Sequence, residues 1–198
     1  LEPARRFDLA DVTTSAVQDG SAWRISGLKD AVRGAPFATH VLVNARVRDA
    51  NGDPAGVSAF LVATGAPGLS SREYPTVDGS RAADLTFERV SAEILGLAGQ
   101  GIEPLEAAVD EGVAAICAEG VGVMRRLLAD TVEYTRQRRQ FDAPIASNQA
   151  LQHRMVDMYI ALELAISMTY MATLKLARPT PERKRAVSAA KVQVGKAL

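Results

Sequence analysis

The spacing of hydrophobic residues changes near residue 100, and this change limits the fold more than any other feature of the 198-residue chain. Before it, short apolar runs are interrupted by turn sequences such as "NGDPAG" and "TGAPG", which is typical of β-strands. After it, apolar residues recur every three or four positions, which is typical of amphipathic helices. The sequence therefore predicts an α+β chain, with a β-domain over residues 1–97 and a helical bundle over residues 98–198.

The β-domain is predicted to be a barrel or sandwich of short strands. The runs "DVTTSAV" and "SAWRISG" flank Asp19-Gly20 and predict a hairpin. Three further runs, "HVLVNARVRD", "VSAFLVA" and "ADLTFERV", are rich in strand-forming residues. Short strands at this spacing favour a closed or two-layered β fold, and the glycine-rich "GLAGQGIEP" then leads into the helical half.

Three helices are predicted in the second half. The first runs from about Glu103 to Arg139, the second begins near Ser147, and the third begins with Thr180 as N-cap before a proline. The first helix has an apolar stripe that we expect to be buried, formed by Val109, Val113, Ile116, Val123 and Leu127. The second has another, formed by Leu151, Met155, Met158, Leu162 and Ile166. Small residues on the first helix would let a neighbouring helix approach, namely Gly112, Ala115, Gly120 and Gly122.

Composition argues against several classes of function. With 23 basic and 23 acidic residues, the chain has no net charge to attract nucleic acid or an anionic membrane, and we expect neither as a partner. No uninterrupted run of about 18 apolar residues occurs, and the N-terminus lacks the apolar core of a signal peptide. The single cysteine, Cys117, fits a reducing cytoplasm. The leucine at position 1 and the end inside a helical pattern indicate a fragment of a longer protein.

The common catalytic arrangements are missing. His40 and His153 have no partner at metal-ligand spacing, so no metal site is expected. Cys117 falls among apolar helix positions and is interpreted as core packing. The carboxylates of the first helix, including Asp110, are interpreted as a solvated or paired helix face. No catalytic residue is assigned from these patterns.

The segment "RQRRQFDAPI", residues 136–145, crowds three arginines and a phenylalanine at the end of the first helix. One interpretation is simple capping, because cations stabilise a helix C-terminus. The other is an anion site. Guanidinium groups bind phosphate in bidentate fashion, and the N-terminus of the next helix also favours an anion. Helical spacing would place Arg138 and Arg139 about 100° apart, so that one faces a ligand and the other faces water. An aromatic ring beside them suits the purine of a dinucleotide.

Longer stretches resemble the acyl-CoA dehydrogenase family. "EYTRQRRQFDAPIASNQALQHRMVDM" is similar to the family's segment with arginine, phenylalanine and Pro-Ile followed by glutamine. "WRISGLKDAV" and "FLVATGAPGLSSREYPTVDGSRAADLTFERV" are similar to its middle β-domain, and "AAICAEGVGVM" to the start of its C-terminal bundle. The pieces "YPTVDG" and "ALQHR" most resemble the small subunit of pimeloyl-CoA dehydrogenase and related two-subunit bacterial enzymes.

The resemblance implies an FAD-dependent oxidation of acyl-CoA thioesters to 2,3-enoyl-CoA. It implies a middle β-barrel domain followed by part of the C-terminal helical bundle, homo- or hetero-tetramers, and an electron-transferring flavoprotein as acceptor. In the family, four positions of the arginine segment and the next helix reach the FAD of a neighbouring subunit. Here they are Arg138, Gln140, Phe141 and Gln149. Asp110 matches a residue near the substrate.

Several positions depart from the family pattern. Asp142 stands in place of a glycine, Leu1 and Phe7 replace a threonine and a serine that contact flavin, and Ala31-Val32-Arg33 replace the flavin-stacking Trp-x-Thr. Val113 replaces an arginine that often binds substrate, and the usual base of the family would lie beyond residue 198. Two alternatives follow. The chain is a fragment of a catalytic acyl-CoA dehydrogenase, or it is a non-catalytic structural subunit that completes a partner's FAD site in a heteromer.

Overall fold

The computed structural model of the chain describes residues 2–3, 8–48 and 54–198. It contains two compact units, residues 1–106 and 107–198, which we call the β unit and the helical unit. The sequence predicts that the boundary between the two domains lies between residues 97 and 98. The connector beyond that point is hydrogen-bonded to strand residues of the β unit. The amide of Gly101 donates to the carbonyl of Val57 at 2.7 Å, and the amide of Gly99 donates to the hydroxyl of Ser58 at 2.7 Å.

Six described strands form one sheet in the β unit: β1 (Ser15–Asp19), β2 (Ala22–Arg33), β3 (His40–Arg48), β4 (Pro54–Ala63), β5 (Leu69–Pro75) and β6 (Arg81–Leu95). Because β2 pairs with both β1 and β6, five strands close into a barrel in the order β2-β1-β3-β4-β6. β5 pairs with β6 outside this ring. β1 and β3 run parallel, whereas β1–β2, β3–β4, β4–β6 and β2–β6 are antiparallel.

The barrel interior is filled by apolar side chains from the alternate positions of its strands. Ile25, Phe60 and Val62 are completely buried, and the ring centroids of Trp23 and Phe60 lie 5.6 Å apart. The predicted hairpin across Asp19-Gly20 is confirmed. β5 was missed, because its sequence "LSSREYP" is mostly polar and exposed and shows no alternation of apolar residues.

The helical unit contains most of α1 (Ile102–Gln137), a short hairpin of β7 (Arg139–Gln140) and β8 (Ala143–Pro144), then α2 (Gln149–Lys175) and α3 (Thr180–Ala197). The predicted α+β architecture of a barrel followed by helices is thus confirmed. The predicted ends need small corrections. α1 stops at Gln137 rather than Arg139, and the N-cap of α3 is Pro179 rather than Thr180.

The buried face of α1 is not the predicted one, although Val113 of the predicted stripe is partly buried and packs against the helical cluster. Val109, Ile116, Val123 and Leu127 are between 46% and 56% exposed. The buried positions lie about 100° around the helix and include Asp110, Ala114, Cys117, Gly120 and Met124. Small side chains on this face let α3 approach closely, since a Cβ added to Gly120 would lie 2.8 Å from Cγ1 of Val194. A Cβ on Gly112 or Gly122 would meet nothing within 4 Å.

The predicted stripe of α2 is confirmed, and in its N-terminal part Leu151, Met155 and Met158 are partly buried. Leu162 is buried, and Ile166 packs against the cluster that Leu162 shares with Cys117 and Val194. Among the described helices, α2 is also the one that is long and apolar enough to cross a membrane, by length and composition alone. The core helices of soluble bundles meet the same description, and the absence of a membrane-spanning helix stays a prediction.

Candidate functional site

The arginine-rich segment forms a β-hairpin between α1 and α2. β7 pairs with β8, which leaves Phe141 and Asp142 as a two-residue turn. Both have positive φ, 50° for Phe141 and 62° for Asp142, as the turns that match the twist of a two-residue hairpin require. Aspartate tolerates this left-handed conformation better than most residues do, and glycine adopts it freely. The turn geometry therefore accommodates Asp142 at the position where the family has glycine.

Phe141 is the one aromatic residue of this hairpin. Its relative exposure is 99%, so packing within the chain does not hold it in place. Its positive φ costs roughly 1–2 kcal/mol for a residue other than glycine. A strained residue that presents an unpacked ring to its surroundings is typical of a binding site.

Arg138 and Arg139 differ in their contacts, but the prediction that they lie about 100° apart on a helix is wrong. They are not separated by an angle around a helix, because α1 ends at Gln137 and Arg139 lies in β7. The guanidinium of Arg139 donates a hydrogen bond to the backbone carbonyl of Asp142 and braces the turn. Arg138 is anchored through its backbone, since its carbonyl accepts the amide of Ile145 at 2.8 Å. The exposed Arg138 side chain makes no hydrogen bond or ion pair within the described residues.

Gln149 is the first residue of α2. The N-cap, Asn148, makes no side-chain cap hydrogen bond, and the first turn contains no acidic residue. The amide of Leu151 donates to the carbonyl of Asn148 at 3.0 Å, whereas the amides of Gln149 and Ala150 make no hydrogen bond within the described residues. These two N–H groups remain available to an anion. The structure places Arg138, Gln140, Phe141 and Gln149 on one short exposed segment. Their role in cofactor binding stays a prediction.

Asp110, the predicted substrate residue, lies on the buried face of α1. Its Oδ2 accepts a hydrogen bond from Nε of Arg183 on α3 at 2.8 Å. The two side chains are 13% and 10% exposed. Nη2 of Arg183 is buried and has no hydrogen-bond partner among the described residues. No local pattern points to Arg183, because its partner lies 73 residues away. The carboxylate of Asp110 is thus engaged inside the helical unit, and its contact with substrate stays a prediction.

The segment Ala31–Arg33 in the β unit is the one that the family resemblance matches to flavin-stacking residues, and this match stays a prediction. Ala31 has a φ of 51° at an irregularity in the pairing of β2 with β6. Its amide donates to Oδ1 of Asp84 at 3.1 Å. The same carboxylate accepts hydrogen bonds from Arg72 at 2.6 Å and from the hydroxyl of Tyr74 at 2.7 Å. The hydrogen bond from Arg72, followed by those from Ala31 and Tyr74, holds the pKa of Asp84 at about 2. An ionised carboxylate therefore fastens this segment.

Arg33 is held in a second polar cluster. Its guanidinium lies 2.5 Å from Oδ2 of Asp78. Hydrogen bonds from Thr76 and Ser80 hold the pKa of Asp78 well below its usual range. Leu1 and Phe7, the other two departures from the flavin-contacting pattern, lie outside the described residues. Among the residues that are described, no group of three or more potential metal ligands is present.

Comparison with known proteins agrees with this architecture. The sequence pattern of the family "Acyl-CoA dehydrogenase, middle domain" matches residues 2–90, and that of "Acyl-CoA dehydrogenase, C-terminal domain" matches residues 99–198. The mitochondrial short-chain specific acyl-CoA dehydrogenase of Bos taurus is 33% identical over 194 residues, which cover 95% of this chain and 47% of that protein. The chain therefore spans about half the length of this relative.

Solved structures show the same similarity. A crystal structure of an FAD-dependent dehydrogenase superposes with a TM-score of 0.88 at 28% identity, over 99% of this chain and 54% of that one. A chain of the ChsE4-ChsE5 complex from Mycobacterium tuberculosis superposes with a TM-score of 0.76 at 27% identity, over 93% of this chain and 48% of that one. By the two matched domain patterns and this shared fold, the chain belongs to the acyl-CoA dehydrogenase family.

Proposed function

We propose that the chain is part of an FAD-dependent acyl-CoA dehydrogenase that desaturates an acyl-CoA thioester between its α and β carbons. Membership of the family supports the reaction class. The observation that carries the cofactor assignment is the braced hairpin that presents Arg138 and Phe141 beside the uncapped start of α2. When bound, FAD supplies the hydride acceptor of the reaction.

Within this proposal, the hairpin clasps an FAD that is held mainly by a neighbouring subunit. Arg138 donates two N–H groups to the pyrophosphate, and the amide groups at the start of α2 add further donors. Phe141 offers a ring face to the cofactor, while Gln140 and Gln149 contribute exposed amide side chains. The exposed donors and the absence of an acid in the first turn of α2 fit an anionic group. The carboxylate of Asp142 lies nearby and would repel an anionic group.

A second candidate is a non-catalytic structural subunit of a heteromer, similar to the small subunit of pimeloyl-CoA dehydrogenase. The observation that favours it lies in the segment Ala31–Arg33. This segment has no aromatic residue to stack on a flavin, and it is tied to the carboxylates of Asp84 and Asp78. The ChsE4-ChsE5 similarity is compatible with a heteromer, because that structure is a complex of two differently named chains.

The proposal also includes partners and location. The substrate is an acyl-CoA thioester, and the assembly is a homo- or hetero-tetramer in which one subunit completes the site of another. The electron acceptor proposed on the family resemblance is an electron-transferring flavoprotein. We place the protein in the cytoplasm and expect neither nucleic acid nor a membrane as partner.

The test of FAD binding by the hairpin is flavin retention by the complete protein in its assembled state. A charge-assisted hydrogen bond contributes about 1.5–3 kcal/mol, so Arg138→Ala should weaken FAD binding roughly tenfold to a hundredfold. Arg138→Lys should recover part of this loss, because an ammonium group lacks the planar fork. Arg139→Ala is the matched control and should have a smaller effect, through the turn alone. Retention of flavin by Arg138→Ala together with its loss in Arg139→Ala would contradict the assignment.

The two candidates are separated by expressing the complete chain alone and together with its prospective partner subunit. A catalytic subunit purified alone should carry flavin and reduce it when acyl-CoA is added. A structural subunit should carry no flavin alone and should acquire it only in the heteromer. Absence of flavin from both preparations would contradict both candidates.

A further inference from the structure

The side chain of Glu2 is enclosed by hydrogen-bond donors from two segments of the β unit, the residues just before β1 and strand β2. Its Oε2 accepts the backbone amide of Thr13 at 2.6 Å and the hydroxyl of Thr13 at 2.5 Å. Its Oε1 accepts the amide of Thr14 at 3.0 Å and the ammonium of Lys29 at 2.7 Å. Two backbone amides, one hydroxyl and one ammonium thus satisfy both oxygens of a single carboxylate.

The pocket around this carboxylate is buried and closely packed. Glu2 is 6% exposed, Lys29 is 4% exposed and Thr14 is completely buried. Lys29 also donates to Oδ1 of Asn44 at 2.9 Å, which fixes the ammonium from a second side. A Cβ added to Gly27 would lie 2.7 Å from Oγ1 of Thr14, so glycine is needed there to let Thr14 close against β2.

The electrostatics of the pocket favour an ionised carboxylate. Burial alone would raise the pKa of Glu2, but the hydrogen bonds from Lys29, Thr13 and Thr14 overcome this and hold the pKa at about 2. Without a counter-charge, the buried ammonium of Lys29 would carry a large desolvation cost. The donors are therefore arranged around a negative charge that the site requires for its own stability.

We propose that Thr13, Thr14 and Lys29 form a carboxylate receptor, whose resident ligand is the side chain of Glu2 and whose occupancy fastens residues 2–3 to the barrel. The ligand class is a short aliphatic carboxylate with two free oxygens. This inference rests on the contacts of the β unit and is independent of the proposed function. The receptor should keep its structure when the Glu2 carboxylate is removed, because its donors belong to the barrel and its edge.

The test is chemical rescue of Glu2→Ala in the full chain. This change removes one methylene and one carboxylate, the same heavy atoms that acetate contains. Trp23 lies in the barrel core and is the single tryptophan, so its fluorescence reports the melting of the β unit. Breaking a buried pair should lower the melting temperature by about 6–20 °C. Acetate should restore most of this loss with saturation, whereas chloride at equal ionic strength should not.

Three controls make the experiment decisive. The wild type should show no saturable response to acetate, because Glu2 fills the receptor. The double variant Glu2→Ala, Lys29→Met should show none either, since it lacks the ammonium. Glu73→Ala removes a carboxylate from a half-exposed pair with Arg81 and should show no rescue.

If Glu2→Ala does not fold in chloride, its refolding yield in acetate is compared with its yield in chloride, with the same expectation. A response to acetate no larger than that of the double variant would overturn the proposal, as would equal rescue of Glu73→Ala.

Discussion

Removal of the Asp110 carboxylate would leave the guanidinium of Arg183 inside the helical unit without its counter-charge. Nε of Arg183 donates to Asp110 at 2.8 Å, and the two side chains are 10% and 13% exposed. Nη2 of Arg183 is already without a partner within the described residues. Asp110→Ala should therefore destabilise the helical unit, because the buried guanidinium of Arg183 would then have neither a counter-charge nor a partner for Nη2.

The magnitude follows from the burial of the pair. Loss of one partner of a buried ion pair costs about 3–5 kcal/mol. We expect a value near the lower end, about 3 kcal/mol, because the remaining exposure lets water reach part of the guanidinium. Replacing both partners, as in Asp110→Leu with Arg183→Met, removes the charges together. That double variant should be neutral or more stable than the wild type, by up to about 4 kcal/mol.

The assay is urea unfolding of the 198-residue chain, followed by circular dichroism in the far ultraviolet. Helix content reports mainly on the helical unit, whereas fluorescence of Trp23 in the barrel core reports on the β unit separately. A double-mutant cycle of the wild type, Asp110→Leu, Arg183→Met and the double variant gives the coupling energy of Asp110 and Arg183 directly. Asp110→Asn adds a control that keeps the size of the side chain and an acceptor oxygen but removes its charge.

Two results would refute this reasoning. If Asp110→Ala costs less than about 1 kcal/mol, the range of an exposed ion pair, the pair is not buried in solution as the structure has it. If the double variant is as unstable as the sum of the two single variants, the residues do not compensate each other. In the first case, the carboxylate of Asp110 would be available for the substrate contact that the family resemblance predicts.

The remaining predictions test packing and pH. Leu162→Ala should cost about 2–5 kcal/mol, whereas Leu164→Ala, at a 51% exposed position, should cost clearly less; equal losses in urea unfolding would contradict the observed face of α2. Gly120→Ala should destabilise by about 1–3 kcal/mol through overpacking against α3. Gly122→Ala, with nothing within 4 Å, should stabilise by about 0.4–1 kcal/mol. Because the folded-state pKa of Glu2 is about 2, down from 4.5, its contribution should be complete above pH 4.5 and be lost as the pH falls towards 2. The melting temperature should therefore fall less steeply on acidification in Glu2→Gln than in the wild type.

Sequence alone determined the features that depend on neighbouring residues. The hairpin at Asp19-Gly20 follows from a turn pair between two strand-forming runs. The start of α3 follows from Pro181, which suits only the first turn of a helix. The arginine-rich segment was correctly identified as a junction between helices. Its backbone was not, because a hairpin turn with positive φ at Phe141 and Asp142 has no signature in a sequence that lacks glycine there.

Tertiary structure decided which residues are paired or buried across long separations. The apolar periodicity of α1 predicts a stripe at Val109 and Leu127, yet the buried face is the one where small residues such as Gly120 let α3 approach. A polar strand such as β5 forms because β6 offers it a hydrogen-bonding edge, and nothing in its own sequence requires it. The charges of Glu2 and Asp110 appear in the sequence as ordinary surface carboxylates. Their cationic partners lie 27 and 73 residues away, and only the folded chain brings each pair together where water is too scarce to solvate either charge alone.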